Sequence, residues 1–199
     1  MNLQVPGIVA EERGRSQRLK AATHATHDRL DAAIMAAEPF RDRENYGRFL
    51  AVQHGFHAQI DPLFSHEGLQ ALLADLKDRR RLDLIRRDAA DLGLPLPAAV
   101  PAIPSEPVDT ATALGWLYVA EGSNIGAAFL LKHAAKLGLS ETFGARHLAG
   151  APEGRARHWR SFTAALDAVD LGAEEDAHVV AGAEAAFRHV RAMVDEVFG

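Results

Sequence analysis

The sequence predicts an all-α fold built as one domain, a single multi-helix unit, and three observations carry that prediction. Strong helix formers dominate from about Arg13 to the end, apolar residues recur at helical spacing, and alternation with period two is nearly absent. A chain of 199 residues, 48% of them hydrophobic, is long enough to bury one continuous core and too short for two good ones. Residues 1–12 are expected to form a flexible N-terminus ahead of a domain spanning 13–199.

The elements follow in order. A first helix is expected from about Arg13 to Ala37, stopping before Pro39 because proline disfavours helical geometry in the residue preceding it. A second runs from near Asp42 to about Phe64, with Tyr46, Phe49, Leu50, Gln53, Phe56, His57, Ile60 and Leu63 on one face. A third covers roughly Glu67 to Leu92, with Leu69, Leu72, Leu73, Leu76 and Ile85 turned inward. Five of the nine prolines fall between Gly93 and Pro107, which reads as an extended connection. A fourth helix starts with Asp109 as N-cap, meets the run Gly122-Ser123-Asn124-Ile125-Gly126, resumes to Leu137 and ends at Gly138. Two more helices are expected, Arg155 to Val169 and Glu174 to Phe198.

Charge and composition exclude several classes. A formal charge of −5 argues against a nucleic-acid footprint, which needs a basic balance. With no cysteine there is no disulfide, zinc-thiolate site, iron–sulfur ligation or cysteine nucleophile. Met1 to Glu12 do not read as a signal peptide, and no apolar stretch of membrane-spanning length occurs, so no membrane role and a cytoplasmic location are expected.

Ten histidines are sorted by helix face. His24 shares a stripe with Gln17, Asp28 and Asp31 and should be wet, whereas His27 precedes Leu30 and Ile34 on a stripe facing the core. Lys20 lies two turns before His27 at nearly the same azimuth, about 10 Å along the axis. That spacing suits a flat cofactor whose metal takes the imidazole and whose carboxylate edge meets the cation. A buried histidine bonded to a carbonyl, beside a solvated lysine, fits the same spacing. On the second helix Gln53 and His57 interrupt an apolar face and need partners there, while His54 falls off that face and should be exposed. The pairs His24/His27 and His54/His57 also admit a zinc or di-metal reading, although face analysis sends one member of each pair outward.

Gly122 and Gly126 open one surface of the fourth helix, and each costs roughly 1 kcal/mol of helix stability relative to alanine. Either close helix packing or the approach of a flat molecule to the backbone can compensate, and a kink is expected at the Gly-Ser pair. A membrane dimerisation motif is excluded by Glu121, Ser123, Asn124 and Lys132.

Taken together, Arg15-Ser16-Gln17-Arg18-Leu19 before Thr26-His27-Asp28-Arg29-Leu30, then Gly115-Trp116-Leu117-Tyr118-Val119-Ala120-Glu121-Gly122-Ser123-Asn124-Ile125-Gly126, resemble the bacterial heme oxygenase family. The resemblance extends from about Arg15 to Phe162 and includes Glu38-Pro39-Phe40, Phe143-Gly144-Ala145-Arg146-His147-Leu148, and Trp159. It implies heme b, both cofactor and substrate, held between a proximal helix bearing His27 as metal ligand and a kinked distal helix whose Gly122, Ser123 and Gly126 backbone lies almost on the ring. The activity implied is opening of heme by O2 to biliverdin, carbon monoxide and ferrous iron. Gln53, His57, Arg81, Asn124, His147 and Trp159 match positions that organise a distal water network in the family. Lys20 and Tyr118 match positions that steer the propionates toward α-meso cleavage, and His133 stands where isomer-switched relatives carry lysine. Ile125 departs from the common leucine.

The implied partners are an electron donor such as ferredoxin or flavodoxin with its reductase, and a phytochrome receiving biliverdin; a monomer is expected. The cluster Arg79, Arg80, Arg81, Arg86 and Arg87, interleaved with Asp78, Asp83 and Asp88, reads as a solvated face, Arg81 excepted, or as a dock for an acidic donor. A heme carrier or sensor without turnover would share His27 and the glycine helix. A thiaminase-type hydrolase needs a cysteine this chain lacks, and a ferritin-like di-iron protein needs two Glu-x-x-His pairs where only Glu175/His178 fits.

Overall fold

The computed structural model describes residues 14–73, 75–96 and 109–199. The proposed N-terminal segment 1–12 and most of the proline-rich connection, 97–108, lie outside the described residues. Seven α-helices occur among the described residues: α1 Arg15–Ala36, α2 Arg43–Phe64, α3 Glu67–Leu72, α4 Leu82–Asp91, α5 Thr110–Ala135, α6 Arg155–Ala168 and α7 Ala173–Phe198. Short 3-10 turns stand at Leu76–Arg79 and Arg146–Leu148.

Local chemistry sets the helix starts. The Asp42 carboxylate accepts the Asn45 N–H at 2.8 Å, and Asp109 accepts the Thr112 N–H at 2.9 Å, each satisfying a donor the helix itself leaves open. At α7 the Glu175 carboxylate accepts the Gly172 N–H at 2.8 Å. The first turn of α1 is capped from another helix, since Asp167 of α6 accepts both the N–H and the hydroxyl of Ser16.

The helix expected over Glu67 to Leu92 is three elements, and its own apolar pattern explains the breaks. At about 100° per residue, a straight helix would point Leu82, Ile85 and Ala89 roughly half a turn away from Leu69, Leu73 and Leu76. All six are buried. Breaking the helix lets the first trio join the main core while Ile85 and Ala89 pack with Leu50 of α2. Leu72, expected inward, is 36% exposed, since within α3 it points about 60° to the side of Leu69.

Helix α5 is the spine, buried at every position from Ala113 to Glu121. It packs most extensively on α7, and two glycines make that approach close. A Cβ on Gly115 would stand 2.2 Å from the Val179 carbonyl oxygen, and one on Gly182 would stand 2.3 Å from that of Thr112. The helix runs through Gly122 to Gly126 without the expected interruption and ends at Ala135, with Gly138 left-handed beyond it at φ 76°. The Ser123 hydroxyl donates back to the Ala120 carbonyl at 2.7 Å, a bond that lets a polar residue sit inside the helix.

Because backbone cannot yield as a side chain can, Gly115→Ala should cost about 3 kcal/mol of folding stability. Urea unfolding monitored by helical circular dichroism measures it.

Candidate active site

One cavity of about 690 Å³ lies between α1 and α5, closed by α2, α6, α7 and the 3-10 turn carrying His147. All twelve residues singled out from sequence line it: Lys20, His27, Gln53, His57, Arg81, Tyr118, Gly122, Ser123, Asn124, Gly126, His147 and Trp159.

The α1 wall carries Lys20, His24 and His27. The His27 side chain is 52% exposed, so it stands on the cavity wall rather than in the core as expected, with Leu30 buried beneath it. Its Nδ1 lies 3.6 and 3.5 Å from carboxylate oxygens of Asp28 and Asp31, which leaves Nε2 as the nitrogen free of acidic neighbours. The ring meets Phe187 edge-on at 5.7 Å. His24 is wet as expected, at 73% exposure, yet it lines the same cavity.

The α5 wall is bare where its glycines fall. A Cβ on Gly126 would meet nothing within 4 Å, and one on Gly122 would meet only the Trp159 ring, at 3.7 Å. Gly126 therefore opens space and does not serve close helix packing, the opposite of Gly115 about three turns earlier. Tyr118 lies 5.5 Å from Trp159, ring to ring, and burial pushes its phenol up from its ordinary value.

A polar corner closes the cavity. Six buried side-chain nitrogen or oxygen atoms among the described residues have no hydrogen-bond partner, and four belong to this wall: Nδ1 of His57, Nε of Arg81, Nδ2 of Asn124 and Nε2 of His147. Unsatisfied buried polar groups cost roughly 1–3 kcal/mol each, so such a cluster marks a place for water or ligand. Arg81 is anchored by donating to the carbonyls of His147 and Ala149, at 2.6 and 3.1 Å. Burial is the main cause that lowers the Arg81 guanidinium below its usual range. Burial also drives His57 down from 6.5 to about 3, helped by His147 and Arg81 nearby.

The sequence reading errs at other positions. His54, expected exposed, is 2% exposed, because α4 packs over that side of α2. Arg79 is no part of a solvated face: its guanidinium is fully buried, 2.7 Å from Glu121 and 2.6 Å from Asp75. Arg80 is held by Asp61 and Asp88 is wholly buried, so of the basic cluster only Arg86 and Arg87 remain exposed. Asp88, Glu121 and the α7 contributors Phe187 and Val190 were missed; the two acids sit on apolar stripes, which was the available signal. Among the described residues no group of three or more His, Asp or Glu converges as a metal cage, so neither the zinc nor the di-iron reading has a cluster to stand on.

A heme oxygenase family model matches residues 14–196. The chain belongs to the heme oxygenase family. It is 44% identical to heme oxygenase PigA of Pseudomonas aeruginosa, covering 92% of this chain and 93% of that protein. In structure it resembles the heme oxygenase of Neisseria meningitidis, solved with NO and CO bound, with a TM-score of 0.86, 40% identity, and 94% and 92% of the two chains covered. The Leptospira interrogans heme oxygenase shares the fold, with a TM-score of 0.72 at 15% identity over 92% of this chain and all of that one. Among the described residues no helix is long and apolar enough to cross a membrane.

The depressed histidines have a consequence for stability. An unfolded chain protonates His57 from about pH 6.5 downward while the folded one resists until about pH 3. Stability present above about pH 6.5 is therefore lost as the pH falls, and burial of His54, His147 and His189 acts in the same direction. Denaturation midpoints at about pH 7.5 and about pH 5.5 should differ less in His57→Gln than in the unaltered protein.

Proposed function

We propose that this heme oxygenase holds heme b in the α1–α5 cavity, with His27 as axial ligand, and opens it with O2 to biliverdin, carbon monoxide and ferrous iron. The reading rests on one observation above all: an exposed imidazole and a helix face stripped of side chains border the same cavity, beside four unpartnered polar atoms.

The residues fit the group. Leu30, Ile34, Phe187 and Val190 offer apolar walls to a planar ring, and Gly122 and Gly126 let it approach the α5 backbone. Neutral imidazole is a normal axial ligand for heme iron, and Nε2 of His27 is the nitrogen placed to serve. When bound, heme supplies both the redox iron that activates oxygen and the carbon that is oxidised.

The protein's own part is to bind, orient and deliver protons. His57 stays neutral at physiological pH, and with Gln53, Arg81, Asn124 and His147 it offers donors and acceptors that order water at the polar corner. Among the described residues the carboxylates lining the cavity, Asp28 and Asp31, stand on the α1 wall and not at that corner, so protons there would arrive through water instead of a side-chain acid. Ser123 is spent on its own helix and contributes small size, while Trp159 closes the cavity over Gly122.

Lys20 and Tyr118 fit the propionate edge and favour α-meso cleavage. His133 supports the same seating, because it is not part of the cavity lining and packs instead against Phe129, at 4.5 Å, and Phe40, at 5.7 Å. A ferredoxin or flavodoxin with its reductase is the proposed electron source, with Arg86 and Arg87 the reduced remnant of the expected basic dock. A monomeric cytoplasmic enzyme, formed by one domain over 13–199 and supplying biliverdin to a phytochrome, completes the reading.

Haemin should bind one to one with a Soret band that vanishes in favour of biliverdin absorption once reductant and oxygen are supplied. A carrier or sensor would keep its Soret band, which would contradict turnover. His27→Ala should lose native coordination and regain it with free imidazole; retention of native coordination by the variant would dismiss His27 as ligand.

Gly126→Leu separates cavity from packing. Filling open space in a helix should leave folding stability equal or raised by up to about 1 kcal/mol, while haemin affinity falls at least about tenfold, roughly 1.4 kcal/mol. Titration and urea unfolding of one preparation check both halves.

A further inference from the structure

Helix α4 contributes to the polar corner twice, once through a residue outside the cavity. Arg81, its N-cap residue, reaches the corner directly. Asp88, two turns later, is fully buried and does not line the cavity, yet its carboxylate is saturated by the turn that carries His147. One oxygen accepts the His147 backbone N–H at 2.9 Å and lies 2.8 Å from His147 Nδ1. The other accepts the Arg146 backbone N–H at 2.9 Å and its guanidinium at 3.2 Å.

A carboxylate that already takes three other donors has nothing to donate, so the fourth contact needs its proton on His147 Nδ1. Burial lowers the His147 pKa in spite of Asp88 and keeps the ring neutral, so Nε2 is left as a bare lone pair, and Nε2 is one of the four unpartnered atoms of the corner. We propose that Asp88 is a positioning residue for the heme oxygenase reaction: it locks His147 in the Nδ1–H tautomer, so that Nε2 faces the cavity as a hydrogen-bond acceptor for water. The inference rests on the proposed function only for what that acceptor serves.

The tautomer decides how a water is oriented. Nε of Arg81 and Nδ2 of Asn124 are donors, and an acceptor held at His147, added to those that Gln53 and the neutral His57 can offer, gives the corner both polarities. A water there can take a hydrogen bond from Arg81 or Asn124 and give one to His147, which fixes its direction; donors alone would not. The charged and titratable groups facing His147 are Asp88, Arg81 and Arg146 from α4 and its own turn, and His57 from α2.

The test begins with the unaltered full-length chain labelled with 15N at histidine and free of heme. Long-range 1H–15N correlation should show His147 as a single Nδ1–H tautomer; an Nε2–H tautomer or an averaging mixture overturns the proposal. Asp88→Ala should expose the Nε2–H form and slow oxygen-dependent loss of bound haemin on the order of tenfold, with haemin affinity unchanged. An unchanged tautomer or an unchanged rate overturns it. In a His147→Gln background Asp88→Ala should slow turnover no further, and an additional loss would show Asp88 acting through Arg146 instead. Because the first measurement needs no variant, misfolding of Asp88→Ala leaves the proposal decidable. Because it needs no heme, its failure is distinct from failure of haemin to bind.

Discussion

Helix α5 has to be smooth in two directions at once, and the rest of the molecule depends on that constraint. At Gly115 it meets α7 backbone to backbone, which fixes its position within the core. At Gly122 and Gly126 it presents an unobstructed face to the cavity, with the ring of Trp159 beyond the first glycine and nothing beyond the second. A helix with this many glycines gives up intrinsic stability, roughly 1 kcal/mol at each. Burial of Leu114, Trp116, Leu117, Tyr118 and Val119 around its girth supplies the compensation.

The other walls inherit their positions from this spine. Glu121, one residue before the open face, is buried and paired with Arg79, whose guanidinium also reaches Asp75, the His158 carbonyl and Ser161. A buried pair of this kind adds little net stability, but breaking it leaves an uncompensated charge, which makes the arrangement specific. It ties the 3-10 turn and α6 to α5, and α6 in turn carries Trp159 over Gly122. Across the cavity, α1 is held to α6 and α7 by Ser16 with Asp167 and by Arg15 with Asp176, setting His27 opposite the glycine face.

Much of this was legible in the sequence, and what was not has physical causes. Periodicity, Asp109 as a cap, and Gly138 beyond the fourth helix placed the long helices. The Glu67 to Leu92 stretch read as one helix because each local window is helical, whereas the half-turn offset between its two apolar stripes shows only over the whole length. The twelve cavity residues were found chiefly through ordered motifs, since spacing alone left His27 and the glycines open to ordinary structural readings. Arg79 and Asp88 were misjudged for a common reason: a charged residue among charged neighbours looks solvated until a partner from a distant segment is known, whereas His54 was misjudged because α4 covers its side of α2. The partners of Arg79 and Asp88, Glu121 and His147, lie far along the chain.

The central claim is that the polar corner and the bare helix face form one site for a planar ring. A high-resolution crystal structure of the haemin complex tests it most directly. The account predicts iron bonded to His27, the ring between α1 and the Gly122 to Gly126 face, and ordered water on Nδ1 of His57, Nε of Arg81, Nδ2 of Asn124 and Nε2 of His147. A ring seated elsewhere, or those four atoms paired directly with one another in a dry corner, would contradict it.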